Sequence, residues 1–288
     1  MATNNVLDAV LAQYESSKQS GSSSTSKFTQ EERMKKYFAA ILKDNEKQGQ
    51  RTIRILPTTD GSSPFKEVWF HEINVDGKWQ KFYDPGKNDN ERSPLNEVYD
   101  ELMSTGRESD KQLAIQYKAR KFYIVKVIDR DNEGDGVKFW RFKHNYKQEG
   151  ILDKIIPIWK AKGDVTDSDN GRDLILELTK AKTPKGAVYT VIQTVMYDDP
   201  NPTHEDSKQA SEWINDDLTW EDVYSKKPVE YLEAIAKGET PRWDSEKGGY
   251  AYSNNETNEV SMGGSKAKSI NEVADPQSNS VEDENLPF

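Results

Sequence analysis

The chain has 288 residues, of which 34% are hydrophobic and 31% charged, and its formal net charge is −10. It contains no cysteine, which excludes disulfides, cysteine nucleophiles and thiolate metal sites. Because no run of about 18 apolar residues is present, we expect no membrane-spanning helix and no membrane partner.

The first segment predicts an N-terminal arm, residues 1–26, made of a short amphipathic helix and a Ser-rich flexible linker. A helix this short needs a surface to cover, so its apolar face is a candidate for self-association. That face consists of Val6, Leu7, Val10, Leu11 and Tyr14.

Residues 27–243 are predicted to form the folded core. Its early strands are expected at 51–57, 66–73 and 78–84. The last two flank Asp76-Gly77, which is a hairpin signal. A helical insert is predicted at about 85–116, and its main helix begins at about Pro94.

The most informative stretch is 117–147, which predicts two strands, 121–129 and 137–143, around an acidic, Gly-rich turn. It interleaves seven aromatic residues with nine cations. Since a strand needs apolar residues on one face only, we expect several rings near solvent. There, cations would neutralise phosphates and rings would stack on the bases of single-stranded nucleic acid. The alternative is a half-buried sheet whose Lys and Arg form its solvated face.

The rest of the core is predicted to contain a helix at 146–162 that Pro157 bends or ends. A hairpin of 173–182 and 187–198 follows, and then short helices with Asp217 and Thr219 as candidate caps. Six to seven short strands without βαβ alternation predict a mainly β fold with helical inserts, in the α+β class. A small barrel or sandwich satisfies this pattern.

Charge is segregated along the chain. Residues 27–160 hold 26 basic and 22 acidic residues, a net of +4, and the remainder carries −14. The tail, residues 244–288, is acidic, poor in apolar residues and expected to be disordered. Its last residues form a candidate partner-binding peptide for a basic, apolar pocket. The peptide consists of Glu282, Asp283 and Glu284, then Leu286, Pro287 and Phe288.

The sequence does not predict an enzyme. The three histidines lie in separate segments without metal-ligand spacing. No Gly-rich phosphate-binding motif stands between a strand and a helix. We therefore expect no catalytic residues, no metal and no cofactor.

Several motifs occur in an order that resembles a known family. They are 51–57 (RTIRILP), Pro64-Phe65, Asp76-Gly77-Lys78-Trp79, Lys118-Ala119-Arg120-Lys121, Phe122-Tyr123, Lys138-Phe139-Trp140-Arg141-Phe142 and the helix around 152–156. Over about 38–235, this series is similar to the single-stranded DNA-binding (helix-destabilising) proteins of T-even-type bacteriophages.

The resemblance implies a five-stranded oligonucleotide-binding (OB) barrel that coats single-stranded DNA with weak sequence preference. It places the protein in replication, recombination and repair of phage DNA, in the cytoplasm of the bacterial host. The DNA groove would be lined by Lys118, Arg120, Lys121, Tyr123, Trp140, Arg141 and Lys143, with Phe122 and Lys138 from the same motifs and Tyr99 near a family aromatic. An RNA-binding OB module and a structural assembly protein with a partner-binding tail remain alternatives.

The chain departs from the family at two places. Founding members use Cys-Pro-x-Cys among their zinc ligands, where this chain has Ser93-Pro94-Leu95-Asn96. Zinc is therefore not expected, and packing of Leu95, Val98 and Leu102 is expected to order the insert. The family's basic N-terminal run is also missing, so self-association on DNA would rest on the apolar face of the arm. The tail would bind replication, helicase-loading or recombination proteins.

Overall fold

The computed structural model describes residues 28–183, 186–224, 226–244 and 249–251. Over these residues the chain has a mixed α/β fold with one large, mostly open sheet, a separate two-stranded sheet and several helices. The strands are β1 (Tyr37–Phe38), β2 (Gln48–Ile55), β3 (Lys66–Val75), β4 (Lys78–Tyr83), β5 (Arg120–Asp129), β6 (Val137–Lys143), β7 (Leu174–Lys182), β8 (Val188–Tyr197), β9 (Arg242–Asp244) and β10 (Gly249–Ala251). The helices are α1 (Gln30–Lys35), α2 (Pro85–Asp89), α3 (Pro94–Ser104), α4 (Glu108–Tyr117), α5 (Ile151–Lys162), α6 (Ser207–Ile214), α7 (Trp220–Val223) and α8 (Val229–Ala236).

Strand β5 is the centre of the large sheet. It pairs antiparallel with β2, β3 and β6. From β2 the sheet continues through β7 to β8, and β3 pairs with β4 in a hairpin. On the other side, the short β1 pairs parallel with β6. Within the described residues β8 pairs with β7 alone, so the sheet is open at that edge.

Both faces of β5 are buried. Tyr123, Val125 and Val127 lie on one face, in a core that includes helix α5 and the apolar residues of β2, β6, β7 and β8. Phe122 and Ile124 lie on the other face, in a second core with β3 and α7. The unbroken apolar run at 122–125 is typical of a strand covered on two sides.

Most strand predictions are confirmed. Strands form within two residues of the predicted 121–129 and at the predicted 137–143, and both predicted hairpins are present. The helix predicted from Pro94 forms, with Ser93 as N-cap and proline in its first turn. Thr219 caps α7 in a reciprocal arrangement with Asp222, so of the two candidate caps Thr219 is confirmed and Asp217 caps neither α6 nor α7.

The sequence predicts that Pro157 bends or ends the helix at 146–162, and the second alternative is wrong. Helix α5 begins at Ile151 and continues through Pro157 to Lys162. Proline removes the backbone hydrogen bond to the carbonyl four residues earlier, that of Asp153. Pro157 and Asp153 are both exposed, so water can satisfy that carbonyl and the helix continues.

Part of the tail that was predicted to be disordered contains a strand. Strand β10 pairs antiparallel with β9, from Gly249 opposite Asp244 to Ala251 opposite Arg242. The predicted helix of the arm and residues 252–288 lie outside the described residues.

A polar cluster that the sequence did not predict joins the helical insert to the sheet. The Asp84 carboxylate caps α2 by accepting hydrogen bonds from the backbone of Gly86 and Lys87. It also accepts from Asn96 Nδ2, at 2.9 and 3.0 Å. Buried His71, on β3, has Nε2 3.4 Å from Asp84 Oδ1 and Nδ1 2.7 Å from the carbonyl oxygen of Tyr117.

This cluster, and not helix packing alone, orders the insert. Leu95 is fully buried as expected, but Val98 and Leu102 are only half-buried. Burial by itself raises the pKa of Asp84, but its contacts with His71, Ser93 and Asn96 and the charge of His71 outweigh it and lower the pKa to about 2.

We therefore expect Asp84→Asn to lower the free energy of unfolding at pH 7 by on the order of 2 kcal/mol. The folded pKa lies below the ordinary value of 3.8. The contribution of the ionised Asp84 carboxylate to the free energy of unfolding is thus complete above pH 3.8 and is lost as the pH falls from there toward 2. Urea unfolding at pH 7, 5, 4 and 3 should show the two proteins converging below about pH 4. Asp76→Asn, at an exposed turn position, is the control and should change little. A gap that does not depend on pH would contradict the assignment.

Candidate nucleic-acid interface

The expectation that the rings of the central strands lie near solvent is wrong for three of the predicted site residues. Phe122, Tyr123 and Trp140 are all buried, and Trp140 is only 3% exposed. Trp140 packs on Phe38 and Phe142, with ring centroids 5.9 and 4.7 Å away. These rings are core residues because helices cover both faces of the β5–β6 hairpin.

Three other predicted residues lie apart from one another. Lys138 is buried, with Nζ 3.1 Å from Asp129 Oδ2 and 2.8 Å from Asp135 Oδ2, so it closes the turn between β5 and β6. Lys118 is exposed in the link between α4 and β5. Tyr99 is half-buried on α3, in the helical insert.

Two of the remaining predicted cations meet in a cationic cluster, which we define as Glu72, Lys81, Arg120 and Lys143. Glu72 Oε2 lies 2.8 Å from Lys143 Nζ and 3.5 Å from Arg120 Nε. Lys81 is opposite Glu72 in the β3–β4 hairpin. Burial raises the pKa of Glu72, but Lys143, Lys81 and Arg120 outweigh it, so the pKa lies below its ordinary value.

Arg141 lies on the same face of the sheet as this cluster. It is opposite Ile124, and Lys143 is opposite Phe122, so the two cations project to the same side. The Arg141 guanidinium lies 5.3 Å from the ring centroid of Phe70 and 6.0 Å from that of Tyr37. Arg120, Arg141 and Lys143 therefore share one face. The predicted groove is divided, because its other strand residues, Lys121, Tyr123 and Trp140, lie on the opposite face.

A second group of rings and cations lies on the opposite face, at the same end of β5. We call it the aromatic edge: Trp69, Lys87, Lys121, Tyr123, His144 and Tyr146. Lys121 is opposite Trp69, and its Nζ lies 5.9 Å from the Trp69 centroid and 6.0 Å from that of Tyr123. Lys87 Nζ also lies 5.9 Å from the Trp69 ring centroid. Each distance is within the range of a cation–π contact.

Histidine 144 continues the aromatic edge toward solvent. Its backbone N–H donates to the Lys121 carbonyl at 2.9 Å, which extends the β5–β6 ladder by one residue. Its ring packs edge-on against Tyr146, with centroids 4.3 Å apart, and its Nδ1 lies 3.3 Å from the Tyr123 hydroxyl. Tyr146 is 69% exposed. The rings thus lead from the core at Tyr123 to a ring that is open to solvent.

The helical insert positions one end of the aromatic edge. Asn88, on α2, accepts a hydrogen bond from the backbone N–H of Trp69 at 2.9 Å and donates to its carbonyl at 2.8 Å. This pair of bonds fixes α2 against β3. Lys87 precedes Asn88 and is thereby held near the Trp69 ring.

The sequence did not single out several of these residues. Trp69, Lys87 and His144 belong to the aromatic edge, and Glu72 and Lys81 to the cationic cluster, yet none was among the predicted site residues. A partial signal existed, because Trp69 lies in an aromatic-rich hairpin and Tyr146 in the basic, aromatic stretch. Lys87 gave none, since its position depends on the fold of the insert.

No protein-family model matches the chain, and no curated protein sequence matches it significantly. In the described part of the chain, no group of three or more His, Asp or Glu side chains is placed to hold a metal ion. None of the helices among these residues has the length and apolar character needed to cross a membrane.

The geometry predicts stability effects of very different size for two aromatic substitutions in the same stretch. Trp140→Ala should destabilise the protein by about 3–5 kcal/mol, since it empties a core position. Tyr146→Ala should change the unfolding free energy by less than about 0.5 kcal/mol, since its ring is largely exposed. Urea unfolding followed by circular dichroism measures both. A large loss of stability in Tyr146→Ala would mean that this ring is part of the core.

Proposed function

We propose that the chain is a non-catalytic single-stranded DNA-binding protein of the T-even phage type, which coats transient single strands during replication, recombination and repair. The observation that carries the proposal is the aromatic edge. Its rings alternate with ammonium groups and extend to a largely exposed tyrosine. This is the chemistry that single strands need, because bases stack on rings and phosphates pair with cations.

The DNA path in this proposal begins at Tyr146 and Trp69. Bases would stack on these rings, while Lys87 and Lys121 neutralise the adjacent phosphates. Lys121 is hydrogen-bonded to Glu67, whose side chain is 53% exposed. The ammonium group is therefore held in place at the surface, and a phosphate can approach it as Glu67 turns toward solvent.

The cationic cluster would extend the path around the end of β5. Arg120 and Lys121 are neighbours on that strand, so their side chains project to opposite faces. A strand of DNA that leaves the aromatic edge at Lys121 would meet Arg120 and then Lys143 on the other face. Affinity would come mainly from phosphate contacts, and sequence preference would be weak.

The proposal also includes a more specific fold, an OB barrel. One edge of β5 pairs with two strands in succession, with β3 at 120–124 and with β2 at 127–129. A strand that changes partner along its length is bent, and bent strands allow a sheet to curl toward a barrel. This pairing supports the proposed barrel topology.

The test is a titration of intrinsic fluorescence with oligo(dT) at several salt concentrations. Binding should weaken steeply with salt, and Tyr146→Ala and Lys121→Ala should each reduce affinity by about fivefold or more. Lys121→Ala should also reduce the slope of log affinity against log salt by about 1, as expected for one lost phosphate contact. Duplex DNA of equal charge should bind more weakly, because its bases cannot reach the rings.

Two substitutions at another ring and cation serve as matched controls. Tyr197 on β8 has Lys162 Nζ 5.1 Å from its ring centroid. Tyr197→Ala and Lys162→Ala should therefore leave affinity unchanged. Equal losses at both places, or no salt-dependent binding by the unmodified chain, would refute the proposed interface.

The acidic tail would regulate this binding and recruit partners. Residues 252–288 contain seven acidic and two basic residues, so they can compete with DNA for the cations. DNA would displace the tail, and its last three residues would then bind replication, helicase-loading or recombination proteins.

Removing 252–288, which leaves β10 intact, should tighten oligo(dT) binding at low salt by on the order of tenfold. Removing only 286–288 deletes no acidic side chain and should leave DNA affinity unchanged. The same titrations measure both truncated proteins. If the full chain and both truncated proteins bound oligo(dT) with equal affinity at low salt, competition between the tail and DNA would be refuted.

A further inference from the structure

Two basic side chains, Arg33 on α1 and Lys227 in the link between α7 and α8, lie close together without an acidic partner. Burial lowers the pKa of Lys227, and the neighbouring charge of Arg33 lowers it further. None of the ion pairs among the described residues includes either side chain. Since partly buried like charges repel each other, an anion between them would relieve both.

The Arg33 guanidinium also has an unsatisfied donor. Its Nε is buried and has no hydrogen-bond partner within the described residues. Lys227 is half-buried, and its Nζ lies 5.1 Å from the ring centroid of Tyr231. A buried donor without a partner costs free energy. An oxyanion at this place would accept from that donor and neutralise the two charges.

The second apolar core, which lies between the sheet and α7, holds the two basic residues near each other. Phe28, just before α1, and Tyr37, which follows its C-cap, both pack against that core. Tyr224, three residues before Lys227, is buried in the same core. Arg33 is therefore anchored on both sides along the chain, and the start of the link that carries Lys227 is fixed beside it.

Strand β6 connects this pair to the cationic cluster. Lys143, Arg141 and Phe139 follow one another on one face of the strand, since they are two residues apart. Phe139 is opposite Tyr37 of β1, and the Arg141 guanidinium lies 6.0 Å from the Tyr37 ring centroid. The series of cations thus continues from the cluster, through Arg141, toward α1.

We propose that Arg33 and Lys227 bind one phosphate of a single strand of DNA, beyond the cationic cluster on the same path. A phosphodiester presents two charged oxygens, so the N–H groups of a guanidinium and an ammonium group can bind it together. The path would then lead from the aromatic edge, past Arg120 and Lys143, to α1. This inference rests on the proposed function and adds a contact from two elements outside the basic, aromatic stretch.

A neighbouring cation on each element provides a matched control. Lys226, next to Lys227, has Nζ 3.2 Å from Glu221 Oε1, so its charge is already paired. Lys35, two residues after Arg33 on α1, is exposed. Substituting either lysine removes one positive charge from the same element and leaves the proposed pair in place.

The test is the oligo(dT) titration of the full chain at several salt concentrations. Arg33→Gln and Lys227→Gln should each reduce affinity by about threefold or more and reduce the slope of log affinity against log salt by about 1. Lys35→Gln and Lys226→Gln should have much smaller effects. Lys227→Arg keeps the charge and should retain most of the affinity. Because both side chains would hold the same phosphate, the double substitution should cost less than the two single losses combined.

The outcomes separate this site from the proposed function. No salt-dependent binding by the unmodified chain would refute the proposed function and this site with it. If the chain binds and Tyr146→Ala weakens binding, but the four substitutions to glutamine have equal effects, this site alone would be overturned.

Amine labelling locates the contact without relying on affinity. The full chain would be treated with acetic anhydride, and acetylation of each lysine measured by mass spectrometry. Oligo(dT) should protect Lys227 but not Lys208, whose side chain is 85% exposed on α6. The same protection should occur after removal of 252–288. If the tail protected Lys227 and oligo(dT) gave no protection in the truncated protein, the pair would bind carboxylates of the tail, and the proposal would be overturned.

Discussion

The burial of β5 on both of its faces is the constraint on which the rest of the structure depends. This strand bonds to β2, β3 and β6 and contributes side chains to two separate apolar cores. Helix α5 covers one face, and α6 and α7 cover the other. A strand in this position cannot expose aromatic rings along its middle, since each ring there fills core volume.

The lysines in the middle of β5 and beside the turn of the hairpin are paired with acids. Lys126, in the centre of β5, has Nζ 3.8 Å from Asp216 Oδ1, and buried Lys138 is paired with two aspartates. At the other end of the hairpin, Arg120 and Lys143 are paired with Glu72, and Lys121 is paired with Glu67. Cations and accessible rings therefore concentrate where β5 begins and β6 ends, which is where the proposed DNA path lies.

The helical insert links the stability of the fold to the geometry of the aromatic edge. Asp84 begins α2 and binds His71 and Asn96, which fixes the insert against β3. Asn88, one turn later, holds α2 to the backbone of Trp69. Since Lys87 lies between these two anchors, its distance from the Trp69 ring depends on both. The buried acid thus supports the aromatic edge without being part of it.

The sequence by itself determined most of the strands, both hairpins, the beginning of α3 and the Thr219 cap, because these depend on local signals such as Asp76-Gly77, Pro94 and the β-branched runs. It also located the basic, aromatic stretch that contains much of the candidate site. It could not determine which rings of that stretch are buried. A run such as 122–125 is apolar at every position, so its pattern does not show which face is covered, or that both are.

Tertiary structure alone decided that Trp140 is core and that Tyr146 is exposed, and it brought Lys87 to Trp69 and Lys143 to Glu72. Contacts of this kind join residues from different elements, and their geometry depends on how the elements pack. Strand β8 shows the same division. Its sequence predicts a strand, but whether that strand is interior or at an edge is decided by the strands that lie beside it.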